Sequence, residues 1–241
     1  MMQLTSRGRN VAMSRLLFES HPPTLPVAGC AELFPVHRIY CVGQNYAAHA
    51  REMGSVPERA PPFYFSKPAD AIVQNGERIP YPLRTGELHH EIELVVAIGK
   101  TGHGIPAERA LSHVYGYAVG IDLTRRDLQA QAKKTGKPWD TAKGFDRSAP
   151  VSRIHRASDI GHPQLGRIWL AVNGTVRQDG NLKELIWSVP EAVAELSTYF
   201  ELRPGDLLFT GTPAGVGAVQ RGDRITGGID GIDEIAVEIA A

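Results

Sequence analysis

Apolar residues in this chain come in short runs, and 25 glycines and 17 prolines stand between them. A chain interrupted so often cannot sustain many long helices. Segments of about four to eight residues bounded by turn formers read as strands. The expected class is mainly β with a few helices, an α+β arrangement. No apolar run approaches the ~18 residues of a membrane-spanning helix, so no membrane association is expected.

Several strands are predicted. RIYCVG at 38–43 and PFYFS at 62–66 are rich in aromatic and β-branched residues. EIELVVAIG at 91–99 starts with alternation and becomes almost continuously apolar, as a strand buried at one end would. YGYAVGIDL at 115–123 behaves similarly, and DLLFTG at 206–211 and EIAVEI at 234–239 complete the set. Asn173-Gly174, inside IWLAVNGTVRQ, supplies the positive φ angles of a tight hairpin. Helices are predicted after Ser188, where Pro190 suits the first turn, and over Ala47 to Met53. Thr124 with Asp127 resembles a capping pair opening TRRDLQAQAKK.

No Gly/Ser-rich or charged linker divides the chain, so residues 16–241 are expected to form one domain behind a flexible, basic and polar extension over residues 1–15. Lys plus Arg equals Asp plus Glu at 26 each. That balance gives no basic field for nucleic acid, and any anion must be bound by local cations in a pocket. Cys30 and Cys41 have no metal-type spacing, and a reducing cytoplasm is expected.

The densest chemistry lies in HHEIEL at 89–94. On a strand, Glu91 and Glu93 share one face while Ile92, Leu94 and Val96 take the other. Adjacent carboxylates repel unless they share a proton or a cation. The spacing alone favours a half-exposed strand whose acids face water, and a site needs a third acid. Asp122 is the candidate third acid, because it ends the apolar run YAVGID. All-oxygen ligands favour Mg²⁺, Mn²⁺ or Ca²⁺ over zinc. Arg126 and Gln129 share a helix face, and Lys143 follows in KGF; near three acids they would match an anionic substrate. His49 and Glu52, three apart, form either a catalytic His–carboxylate pair or a surface ion pair. TGTPAGVG at 210–217 lacks the Lys-Ser/Thr of a P-loop, and its amides with Thr212 could cradle a carboxylate.

In order along the chain, YCVGQNYAAHAREMG, FSKPADA, HHEIELVVAIGK, GYAVGIDLTRRDLQ, PWDTAKGFD, VNGTVRQ and LLFTGTPAGVG resemble the fumarylacetoacetate hydrolase family from about Arg38 to Ile239. The resemblance implies a fold of packed and rolled mixed β-sheets, usually a homodimer. It also implies a hydrolase that uses Mg²⁺ or Mn²⁺ (Ca²⁺ in a crystal) to cut a carbon–carbon bond in a 2,4-dioxo acid such as fumarylpyruvate, in aromatic catabolism. Under it, Glu91, Glu93 and Asp122 hold the metal. His49 and Glu52 lie on a lid, and Arg126, Gln129, Lys143 and Thr212 face the substrate, with Lys67 of FSKP a pocket lysine. Acylpyruvase, oxaloacetate decarboxylase, isomerase or hydratase activity uses the same residues, and a non-catalytic protein binding metal and oxo acid is the reading from another class. The family pattern often reads Gly-Arg-Asn-Tyr where this chain has Gly43-Gln44-Asn45-Tyr46, so Gln44 removes a charge near the expected lid.

Overall fold

Strands dominate the computed structural model, which describes residues 17–19, 21–52 and 60–241. The expected extension over residues 1–15, and Met53, lie outside the described residues. An eight-stranded mixed sheet forms the centre. Its main path runs Phe63–Lys67, Arg38–Gly43, Asp206–Phe209, Ile92–Ile98, Val114–Ile121, Ala149–Val151 and Ile72–Gln74. Most neighbours are antiparallel, but Arg38–Gly43 runs parallel to Asp206–Phe209, and Ala149–Val151 to Ile72–Gln74. A five-stranded sheet built on the Arg167–Val172 and Thr175–Asn181 hairpin accompanies it. The hairpin turns at Asn173 and Gly174, whose φ angles are 51° and 79°.

The strand Ile92–Ile98 is buried along its whole length, not at one end only. The reason is that both faces of the central sheet are covered. Ile92, Leu94 and Val96 enter one core with Val119, Ile121 and Leu208. Val95 and Ala97 enter a second core with Ala118, Leu207 and Phe209. Period-two geometry splits one apolar run between two cores, so the sequence loses its alternation.

The helix Val189–Tyr199 starts as expected at Ser188, where the Glu191 carboxylate accepts from the Ser188 amide at 3.0 Å and hydroxyl at 2.7 Å. The Thr124–Asp127 capping pair does not form. Thr124 pairs with His89 in a three-stranded sheet, and its hydroxyl donates to the Asp122 carbonyl at 3.2 Å. Asp127 instead accepts from the Thr85 hydroxyl at 2.6 Å and the Gly86 amide at 3.0 Å. Strand pairing draws Thr124 away and the 85–86 loop claims the Asp127 side chain, and the helix Arg126–Thr135 closes on Gly136 in the left-handed region, φ 64°.

Candidate active site

Two central strands bring the acids together. Ile92 pairs with Ile121, and just beyond that pair the Asp122 amide donates to the Glu91 carbonyl at 2.8 Å. The register places one oxygen each from Glu91, Glu93 and Asp122 within 4.8 Å of one another. All three are buried, with exposures of 4%, 2% and 0%.

Cations surround them unevenly. Lys143, at the end of the short helix Asp140–Lys143, donates to Glu91 Oε2 and Asp122 Oδ2, each at 2.7 Å. Arg126 donates to Glu91 Oε1, and its other amino group reaches Gln129 Oε1 at 2.5 Å. Lys67 approaches Asp122 Oδ1 at 2.7 Å and also donates to the Leu123 carbonyl at 3.1 Å. Lys67 therefore braces Asp122 from behind and does not line the cleft. Among the described residues, Glu93 receives the Gly211 amide alone, at 2.7 Å.

This asymmetry separates the acids electrostatically. Burial raises the Glu91 carboxyl, but Lys143 and Arg126 outweigh it and hold Glu91 well below the usual range. Burial, then Asp122 and Glu91, push Glu93 well above it. Burial opposes the charge on Lys143, yet Asp122 and Glu91 more than compensate and raise it. His89, beside Arg126, is pulled down to about 4 by burial first and Arg126 second. Three buried carboxylates, one of them without a paired cation among the described residues, fit a hard divalent ion such as Mg²⁺ or Mn²⁺.

His49, on the helix Ala47–Glu52, lines the same cleft as Glu91 and Glu93. Its Nδ1 lies 3.2 Å from Glu52 Oε2, and the Gly215 amide donates to both Glu52 oxygens at 3.1 and 3.2 Å. Gly215 has φ +94°, and a Cβ there would lie 2.1 Å from the Arg177 carbonyl, so glycine is required for this contact. The helix is fastened upstream by Asn45. Its Nδ2 donates to the Trp187 and Thr210 carbonyls at 2.9 and 2.8 Å, and its Oδ1 accepts from the Trp187 amide at 2.7 Å.

A narrow cleft lies beside these residues. His49, Glu91, Glu93, Arg126, Gln129, Lys143 and Thr212 line it together. The Thr212 hydroxyl is committed to the scaffold, donating to the Ile92 carbonyl at 2.7 Å and accepting from Gln178 at 2.8 Å. Sequence reasoning missed Gln178, because its pairing with Leu170 and its full burial exist only in the fold and nothing in the polar run around it marks it. Gln178 also accepts from the Ile92 amide at 3.1 Å, tying the hairpin to the acid-bearing strand. Lys133 and Trp139 at the mouth were likewise missed.

The Fumarylacetoacetate (FAA) hydrolase C-terminal family matches residues 38–240. The chain belongs to this family. It is 47% identical over 177 residues to a fumarylpyruvate hydrolase of Ralstonia sp, covering 73% of this chain and 92% of that one. It is 42% identical over 200 residues to an oxaloacetate tautomerase of Escherichia coli, covering 82% and 90%. A crystal structure of fumarylpyruvate hydrolase from Pseudomonas aeruginosa, in complex with Mn²⁺ and pyruvate, superposes with a TM-score of 0.92 at 55% identity, covering 94% of this chain and 99% of that one. Like these relatives, this family member is an enzyme, and its packed, curled sheets are the fold that the resemblance implied.

Proposed function

We propose that this enzyme hydrolyses the C3–C4 bond of a 2,4-dioxo acid, with fumarylpyruvate as substrate and fumarate and pyruvate as products. The observation that carries the reading is the cluster of Glu91, Glu93 and Asp122 beside a cleft that Glu91 and Glu93 line together with His49, itself paired with Glu52. The resemblance to two fumarylpyruvate hydrolases supports it, and it would serve aromatic-ring breakdown.

Glu91, Glu93 and Asp122 would hold Mg²⁺ or Mn²⁺, which supplies Lewis acidity for the 2-oxo acid end of the substrate. Glu52 orients the His49 ring through Nδ1 and leaves Nε2 for the reactants. His49 takes a proton from water, and the water oxygen adds to the C4 carbonyl. The C3–C4 bond then breaks, its electron pair staying with the pyruvate fragment, where charged Lys143 offsets it. His49 returns the proton to C3, so one water is consumed and two acids leave. Arg126 and Gln129 orient the substrate carboxylate.

The same reading takes the protein as a cytoplasmic homodimer that binds neither nucleic acid nor membrane. Among the described residues no helix is long and apolar enough to cross a membrane. The test is a panel of fumarylpyruvate, acetylpyruvate and oxaloacetate, each with Mn²⁺ and with a chelator. Metal-dependent fumarate release is expected. Conversion of oxaloacetate alone would replace hydrolysis with proton transfer at the same residues, as the resemblance to an oxaloacetate tautomerase would then explain.

A further inference from the structure

The helix Arg126–Thr135 presents more than two residues to the cleft. Positions 126, 129 and 133 are three and four apart, so they lie along one face, and all three line the cavity. From 126 to 133 the helix makes two turns and rises about 10 Å. Arg126 sits at the acid end, against Glu91. Lys133 stands at the solvent end, where Phe63 is 40% exposed.

The lysine and arginine side chains lining the cleft are Arg126, Lys133 and Lys143. Arg126 and Lys143 are already paired with the buried acids. Among the described residues no salt bridge reaches Lys133. Its ammonium instead lies over the Trp139 ring, 5.1 Å from the centroid. Trp139 meets the Phe63 ring edge-on at 5.3 Å. The mouth thus combines flat aromatic walls with one uncommitted cation, a setting for a planar unsaturated chain that ends in an anion. Burial, then Arg126, pull the Lys133 ammonium below its ordinary value, an unfavourable environment that a bound carboxylate would relieve. Gln44, also lining the cavity, brings no charge.

We propose that Lys133, seated on Trp139, binds the distal carboxylate of a dicarboxylic oxo acid and makes the cleft selective for the dianion over a monoanion of equal length. The inference rests on the reading that the oxo acid end lies at Glu91 and Lys143. It names the residue that would separate a fumaryl tail from a neutral acyl tail.

The test is calorimetric binding of two seven-carbon acids, 2-oxoheptanedioate and 2-oxoheptanoate, to the Mn²⁺-loaded full chain. The wild type should prefer the diacid by roughly 10- to 100-fold, as one charge-assisted hydrogen bond predicts. Lys133→Met should bring that ratio close to one, and Lys133→Arg should restore most of it. A wild type without the preference, or a Lys133→Met variant that keeps it, overturns the assignment. If the preference exists and is lost in Lys133→Met, while fumarylpyruvate is not hydrolysed, the dianion site stands and the reaction reading fails.

Discussion

Glu93 and His49 line one cleft and are held there by different means. Glu93 lies on a seven-residue strand paired on both edges and packed on both faces. Each Leu, Ile or Val buried around it contributes about 1.5–3 kcal/mol, and moving the acid would disturb many of them. His49 rides on six residues of helix, well short of the ~12–15 that approach stability alone in water. Its placement depends on a few hydrogen bonds, from Asn45 at one end and between Glu52 and Gly215 at the other. The acids proposed to hold the metal are fixed by the core, whereas the proposed base is tethered and adjustable, so the two sides should respond separately to substitution.

Breaking the buried side should have the largest effect. Glu91→Ala should lower kcat/KM by roughly 10³-fold or more, because the electrostatic centre of the reaction is lost. It should also abolish the Mn²⁺-induced rise in Tm while circular dichroism still reports a folded chain. On the tethered side, His49→Ala should cost about 10²–10⁴-fold in kcat, the contribution of one general base. Its Mn²⁺ affinity, measured by calorimetry, should stay near wild type; a parallel loss of metal binding would show that the two sides are not separable. Glu52→Gln keeps the shape but removes the charge that orients His49, and about a tenfold loss in kcat is expected.

The smallest effect is a slope with pH. The raised carboxyl of Glu93 binds more protons in the folded, metal-free protein than in the unfolded chain. Its contribution is therefore complete below the ordinary carboxylate range and lost as pH rises through the folded value. Glu91, shifted the other way, contributes above the ordinary range and loses stability only when pH falls below it. Above the ordinary carboxylate range, metal-free Tm should therefore fall as pH rises, from this source. Glu93→Gln should flatten that slope, and the stabilisation by Mn²⁺ should grow with pH in the wild type alone, because binding displaces the proton. An unchanged slope in Glu93→Gln would assign the trend to other groups.

Much of this was legible in the chain. Ile92–Ile98, Val114–Ile121 and the Asn173-Gly174 hairpin announce themselves because local patterning and tertiary burial agree there. Asp122 was legible as an acid closing an apolar run, and it is fully buried beside Glu91 and Glu93. Less visible were effects of residues distant in sequence. Thr124 and Asp127 have the spacing of a cap, but strand pairing and the 85–86 loop take them first. Lys67 reads as a pocket lysine until the register of Phe63–Lys67 turns it behind Asp122. Gln178 and Lys133 are ordinary polar residues locally, and only folding brings Lys133 to the cleft and Gln178 to the Thr212 hydroxyl.

Asn45 extends that lesson to the base itself. Its one amide group grips chain 142 and 165 residues downstream. The aim of His49 is thus inherited from the far end of the polypeptide. Relatives could match this chain letter for letter around the histidine and still point it elsewhere if the loops that meet Asn45 were altered. Conversely, hydrolysis of that single side-chain amide to a carboxylate would turn two carbonyls from acceptors into repellent neighbours and misdirect the ring without touching any group that contacts substrate.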